Sequence, residues 1–172
     1  MTGGRLKFRI GAAIFPNYMK KNLEKLKLVS RDLRNGKQYP RSPRATLGGY
    51  VIAARALDKC RAALVGWHGE YHSNCPVDQI WLQFAEIDYA DFQAFVATGA
   101  TDESVAPWIN KKAKKRPRAE IIAWNNKQRE LRLGDLPAEL QEYMEDYVPQ
   151  FIPRNRVVYR FFDVYDIEEE RL

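Results

Sequence analysis

PRSPRATLGGYVIAARALDKCRAALVGWHGEYHSNCPVD, residues 40–78, holds the strongest helical pattern of the chain, both of its cysteines and both of its histidines. Leu47, Tyr50, Val51, Ala54, Leu57, Leu64 and Val65 recur at helical spacing and predict a helix from residue 43 or 46 to residue 65. Ser42 before Pro43 is a cap followed by a favoured first position, Thr46 is an alternative cap, and Gly66 is a stop. Gly48 and Gly49 weaken the first part of that helix by about 1 kcal/mol each. They mark either a close approach of another element or a later start. At about 100° per residue, Asp58 and Arg61 fall inside the apolar arc, whereas Arg55 and Lys59 point away from it and read as surface charges. The inward two are three positions apart, close enough to pair. They form either a partly buried structural ion pair or the wall of a polar pocket.

Working outward, residues 67–78 form a polar loop in which His68, Glu70, His72 and Cys75 fall within eight residues, with Asp78 one turn further on. Imidazole, thiolate and carboxylate are transition-metal ligand types. Their order, His-x-Glu-x-His-x-x-Cys, matches no common zinc signature, so no metal is expected, and these five remain the candidate ligands. Pro76 predicts a helix start with Cys75 at its cap, where the helix dipole favours a thiolate. His72 is the base that would complete a cysteine–histidine nucleophile pair. Cys60, at the margin of the main stripe, reads as packing.

Further along, Asp88 and Thr101 read as caps of two more helices, the second interrupted by Pro107. Residues 118–131 read as a helix with Ile121, Ile122 and Trp124 inward, and Asp135 caps a helix striped by Leu136, Leu140, Tyr143, Met144 and Tyr147. Trp81, Trp108 and Trp124 are expected in the core. RVVYRFFDVYD, residues 156–166, fits either a strand or a helix by pattern, and the final EEERL reads as a frayed end. Upstream, residues 20–28 read as a short amphipathic helix. Residues 1–18 carry Arg5, Lys7 and Arg9 with no acid and are followed by Met19 and a lysine-rich stretch. They are expected to be an unpacked extension on a single domain spanning residues 19–172.

With 172 residues, 45% of them hydrophobic and 12% aromatic, the chain buries a real core and is not a disordered segment. No run of about 18 apolar residues is present, which excludes a spanning helix. Two cysteines are too few for a secreted disulfide scaffold, and a reducing cytoplasm with both thiols free is the expectation. The net charge of +6 raises nucleic acid as a partner. The one dense basic run, KKAKKRPR at residues 111–118, contains no aromatic stacking group and reads as a solvated helix end. Neither GxGxxG nor GxxxxGK[ST] occurs, and no cofactor is expected.

The blocks PRSPRATLGGYVIAARALDKCRAALVG and GEYHSNCPVDQIWLQF, with AFVATGATDESVAPWI and RFFDVYDIEE further on, resemble a family of small bacterial proteins, domain of unknown function 5069. The resemblance covers roughly residues 32–166. It implies a single, mainly helical domain in a bacterial cytoplasm, tips residues 156–165 toward helix, and leaves residues 1–18 without a counterpart. It brings no activity, cofactor or partner.

The expected fold is therefore all-α, with a short strand at residues 156–162 as the alternative. The expected function is binding of a small polar or anionic ligand between the main helix and the loop after it. Arg61 would hold the anion, Asp58 would orient Arg61, and Tyr71, His72 and Cys75 would line the mouth. The alternatives are an enzyme using Cys75 and His72, and an interaction module presenting the aromatic residues of 143–162.

Overall fold

A computed structural model describes residues 14–172, with side chains from Lys20 onward. The elements are α1 (Ile14–Val29), α2 (Ala53–Leu64), α3 (Pro76–Ala85), α4 (Tyr89–Val96), α5 (Asp102–Lys112), α6 (Arg118–Glu130), a 3₁₀ turn (Leu133–Asp135), α7 (Ala138–Phe151) and α8 (Phe161–Glu168). Among the described residues there is no strand. Two isolated bridges, Leu47–Tyr50 and Arg132–Arg160, are the only β-type pairings there. The domain is all-α; of residues 156–166, those from Phe161 onward are helical, whereas 156–160 are not and Arg160 makes the bridge to Arg132. The expectation of an unpacked extension falls partly on residues 1–13, outside the described residues. The backbone of residues 14–18 belongs to α1.

The main helix begins at Ala53, ten residues later than Pro43, because the glycines before it close a loop instead. Gly48 and Gly49 adopt φ of 59° and 90°, and Leu47 and Tyr50 exchange backbone hydrogen bonds of 3.1 Å across them. Ile52 N–H donates to Pro43 O at 2.8 Å. Asn125 of α6 completes the closure: its Oδ1 accepts from Val51 N–H at 3.0 Å and its Nδ2 donates to Gly49 O at 2.7 Å. Ile52, fully buried, then takes φ 71° as the residue that caps α2. A β-branched residue in that region stores about 1–3 kcal/mol of strain, which the closed loop and the buried side chain must hold in place.

From Ala53 to Ala62 every residue of α2 is buried. Helices α1, α3 and α4 pack directly on it. Its alanines permit that close approach, since a methyl group keeps neighbouring backbones within reach on several sides at once. Trp81, Tyr50, Phe92, Phe161 and Phe162 are the largest fully buried side chains around it. Trp81 meets Phe92 edge-on at 5.5 Å, and Phe84 stacks on Trp124 at 4.3 Å. Trp108 and Trp124 are only partly buried, at the rim of the core.

Asp88 caps α4 by accepting from Ala90 N–H at 2.7 Å, and Thr101 stands at the cap of α5. Two expectations change. In α6, Ile122 faces solvent while Asn125 and Gln128 are buried, because the loop before α2 needs the amide of Asn125. Helix α7 is preceded by Pro137 rather than by Asp135, whose carboxylate instead accepts from Arg132 N–H in the 3₁₀ turn.

A Cβ on Gly48 would lie 2.9 Å from Ile109 Cγ2 and 3.2 Å from Ala106 O, whereas one on Gly36, also at positive φ, would meet nothing within 4 Å. Gly36→Ala is expected to cost about 1 kcal/mol and Gly48→Ala about 2–4 kcal/mol in urea unfolding. Equal losses would contradict a close α5 contact at Gly48.

Candidate functional site

Arg55, Asp58, Lys59 and Arg61 are each 3% exposed. The assignment of Arg55 and Lys59 to the surface is corrected: α2 has no solvent face, so a charge pointing away from one apolar arc points into another element. Each finds a different partner, and Asp58 and Arg61 do not pair with each other.

Asp58 receives Arg41, from the loop before α2, on both oxygens at 2.8–2.9 Å, with the Arg41 backbone N–H adding a third bond at 2.8 Å. Arg31 lies 3.4 Å away. Arg61 donates to Asp102 Oδ1 and to Ala100 O, each at 2.7 Å, at the N-terminus of α5. Arg41 also reaches Asp102, so the two charges of α2 join one chain, Asp58–Arg41–Asp102–Arg61. Burial pushes the Asp102 carboxyl up, but the hydrogen bonds from Arg41 and Arg61 outweigh it and hold the group below its usual range.

Arg55 donates to both oxygens of Glu169, at 2.8 and 2.6 Å, and Tyr71 O–H donates to the same carboxylate at 3.0 Å. Arg171 adds a further donor to Glu169 and reaches Pro40 O. Within the tail expected to be frayed, Glu169 is 2% exposed, because it is the counter-charge of a buried guanidinium, whereas Glu170, Arg171 and Leu172 are exposed. Burial works against the Arg55 charge, but the bonds and charge of Glu169 more than offset it and hold the guanidinium above its usual value. Burial, then the neighbouring Glu169, pushes the Tyr71 hydroxyl up. Nearby, Arg44 binds Asp163 and Asp166, and Ser42 Oγ donates to Asp166 at 2.9 Å.

Lys59 turns to the start of α3. Its Nζ lies 2.8 Å from Asp78 Oδ1 and 3.1 Å from Cys75 Sγ. Asp78 is fully buried, and neither of its oxygens has a hydrogen-bond partner of good geometry. Cys75 is half-buried at the cap of α3, as the sequence predicts, and Pro76 follows as the first helical residue. Both cysteines are free thiols. Burial pushes the Cys60 thiol up to about 11 and the neighbouring Tyr89 hydroxyl up to about 12.

His68, Glu70 and His72 are exposed on the loop. Among the described residues no hydrogen bond joins His72 to Cys75, and no three of the histidine, cysteine and acidic side chains converge as metal ligands would. Cys75 with Asp78 is the one pair from the loop that comes together, and Lys59 is what joins it. Lys59 and Glu169 were missed in the sequence. The signal for the first is the alanine content of α2, which marks contact on all sides rather than one. No comparable local signal marks Glu169.

Two grooves open on the surface of the described residues. One of about 600 Å³ is lined by Leu23, Leu26, Leu64, Ala94 and Ala97 between α1, α2 and α4. The other, of about 650 Å³, runs from Pro76 along Ile80 to Leu131, Leu136 and Leu140, and so begins beside Cys75.

A helical domain threaded by a buried charged helix, with a thiol–ammonium–carboxylate corner at one side, is the class defined here. The profile of the family described as domain of unknown function 5069 matches residues 37–171, and the chain belongs to that family. No curated protein matches it. No described helix is long and apolar enough to cross a membrane.

Lower in the folded than in the unfolded state, the Asp102 carboxyl stabilises the fold above its unfolded value near ~4, and that contribution is lost as pH falls through the folded value. Asp102→Asn should cost about 1–3 kcal/mol at neutral pH, with the gap from wild type narrowing in urea titrations below about pH 4. A gap independent of pH would contradict the ion-pair role.

Proposed function

We propose that the protein takes a small polar or anionic ligand at the Cys75 corner, where the half-buried Cys75 thiol meets it and the buried Lys59 ammonium lies behind the sulfur. The observation that carries this reading is the 3.1 Å approach of Lys59 Nζ to a half-buried sulfur at a helix N-terminus. A cation and a helix dipole beside one thiol are the environment that makes a cysteine nucleophilic. Tyr71 and His72 are not carried over as lining residues, since the Tyr71 hydroxyl is committed to Glu169 and the exposed His72 makes no hydrogen bond to Cys75. Arg61, the cation expected from the sequence, is committed to Asp102 and Ala100; Lys59, itself paired with Asp78, is the cation that also contacts the thiol.

In its enzymatic form the reading makes Cys75 the nucleophile, with Lys59 rather than His72 beside it. A cytoplasmic location agrees with two free thiols. Nucleic acid is disfavoured, since Lys112, Lys114 and Arg116 of the basic run are paired with Asp91, Glu86 and Glu120.

Alkylation with an anionic and a neutral reagent tests the ligand charge. Iodoacetate should modify Cys75 faster, relative to iodoacetamide, than it modifies a small free thiol, and Lys59→Met should lower that preference about tenfold, equivalent to ~1.4 kcal/mol. Equal preferences in wild type and variant would sink the reading.

A further inference from the structure

We propose that Lys59 and Cys75 form an oxidative modification site in which a hydroperoxide converts the thiol to a sulfenic acid and the lysine nitrogen closes on it as an intramolecular sulfenamide. The inference rests on the same Lys59–Cys75 contact as the preceding reading and, like it, requires that Cys75 be reachable from solvent.

Three observations lead here. Cys75 is half-buried, in contrast to the fully buried Cys60. Lys59 is buried beneath it with Nζ 3.1 Å away, so the amine is already placed against the reacting atom and cannot drift into water. Holding two reacting groups in this way replaces a bimolecular encounter with an effectively unimolecular one. Asp78, fully buried, offers the ammonium one oxygen at 2.8 Å and leaves the other carboxylate oxygen without any donor. The oxygen at 2.8 Å is the acceptor for a proton leaving the lysine.

The steps balance. Cys75–SH and a hydroperoxide ROOH give Cys75–SOH and ROH; the sulfur loses two electrons and the O–O bond is cleaved. Lys59 passes one ammonium proton to Asp78, and the amine nitrogen so freed attacks sulfur: the S–N bond forms and the S–O bond breaks. Of the two protons that the ammonium loses, one leaves with the hydroxide as water and one passes to Asp78. The product holds a covalent bridge from α2 to the start of α3 and a neutral carboxylic acid in place of a buried ion pair. Loss of that pair removes two charges whose desolvation the fold otherwise has to offset. Cys60 is not the better partner: burial keeps it a thiol up to about pH 11. Sulfenic acids are known to condense with nitrogen as well as with a second thiol.

The test treats the ligand-free, full-length protein with stoichiometric hydrogen peroxide and reads intact mass and tryptic peptides. A loss of about 2 Da, reversed by dithiothreitol, with a cross-linked peptide joining Lys59 to Cys75, is expected. The loss should persist in Cys60→Ala and vanish in Lys59→Arg. A peptide joining Cys60 to Cys75, or gains of about 16, 32 or 48 Da at Cys75 without a bridge, would overturn the inference. The wild-type peptide map decides by itself should either variant fail to fold. Because the readout is a covalent mass in the absence of ligand, its failure leaves the alkylation preference untouched, and the reverse also holds.

Discussion

Helix α2 can be enclosed on every side only because each of its charged side chains meets a counter-charge delivered by a different element. Arg55 takes Glu169 from the end of the chain, Asp58 takes Arg41 from the preceding loop, Lys59 takes Asp78 from α3, and Arg61 takes Asp102 from α5. An ion left alone in such surroundings costs several kcal/mol, more than a typical core side chain contributes by its burial. The partners therefore constrain where the loop, the third and fifth helices and the C-terminal turn can sit. The strain at Ile52 belongs to the same constraint, since the helix must start where its charges line up with those partners.

Local signals carried much of this fold. Asp88, Thr101 and the Cys75–Pro76 step were legible because a cap is decided by a few neighbouring atoms. Trp81 was legible because a large apolar ring at helical spacing has one sensible destination. The charges of α2 were not. A helical wheel assumes a buried face and a wet face, and on that assumption Arg55 and Lys59 had to be surface residues. Nothing in their own neighbourhood announces a partner 114 residues away. Glu169 in the tail EEERL was missed for the same reason: a short acidic end is normally solvated unless a distant guanidinium claims it. Gly48 and Gly49 announced a helix defect without saying that Asn125 would close the loop they make.

The candidate site divides in the same way. Cys75 at a helix cap follows from sequence, whereas the cation beside it comes from the supposedly exposed side of another helix. His72 is near Cys75 along the chain, and that proximity did not become a hydrogen bond. The corner that results places a thiol, an ammonium and a carboxylate within one buried-to-solvent step, which is why both the ligand reading and the oxidative bridge converge on it. The chain Asp58–Arg41–Asp102–Arg61, by contrast, has its charges satisfied by one another and holds loop and helix together.

The account stands on the buried pairs acting as compensated units, and a double-mutant cycle across Arg55 and Glu169 measures that most directly. Arg55→Met and Glu169→Met should each lower unfolding free energy by about 3–5 kcal/mol, and the double variant should recover most of the second loss, because neither charge is left alone. Losses that simply add, or single variants as stable as wild type, would contradict it.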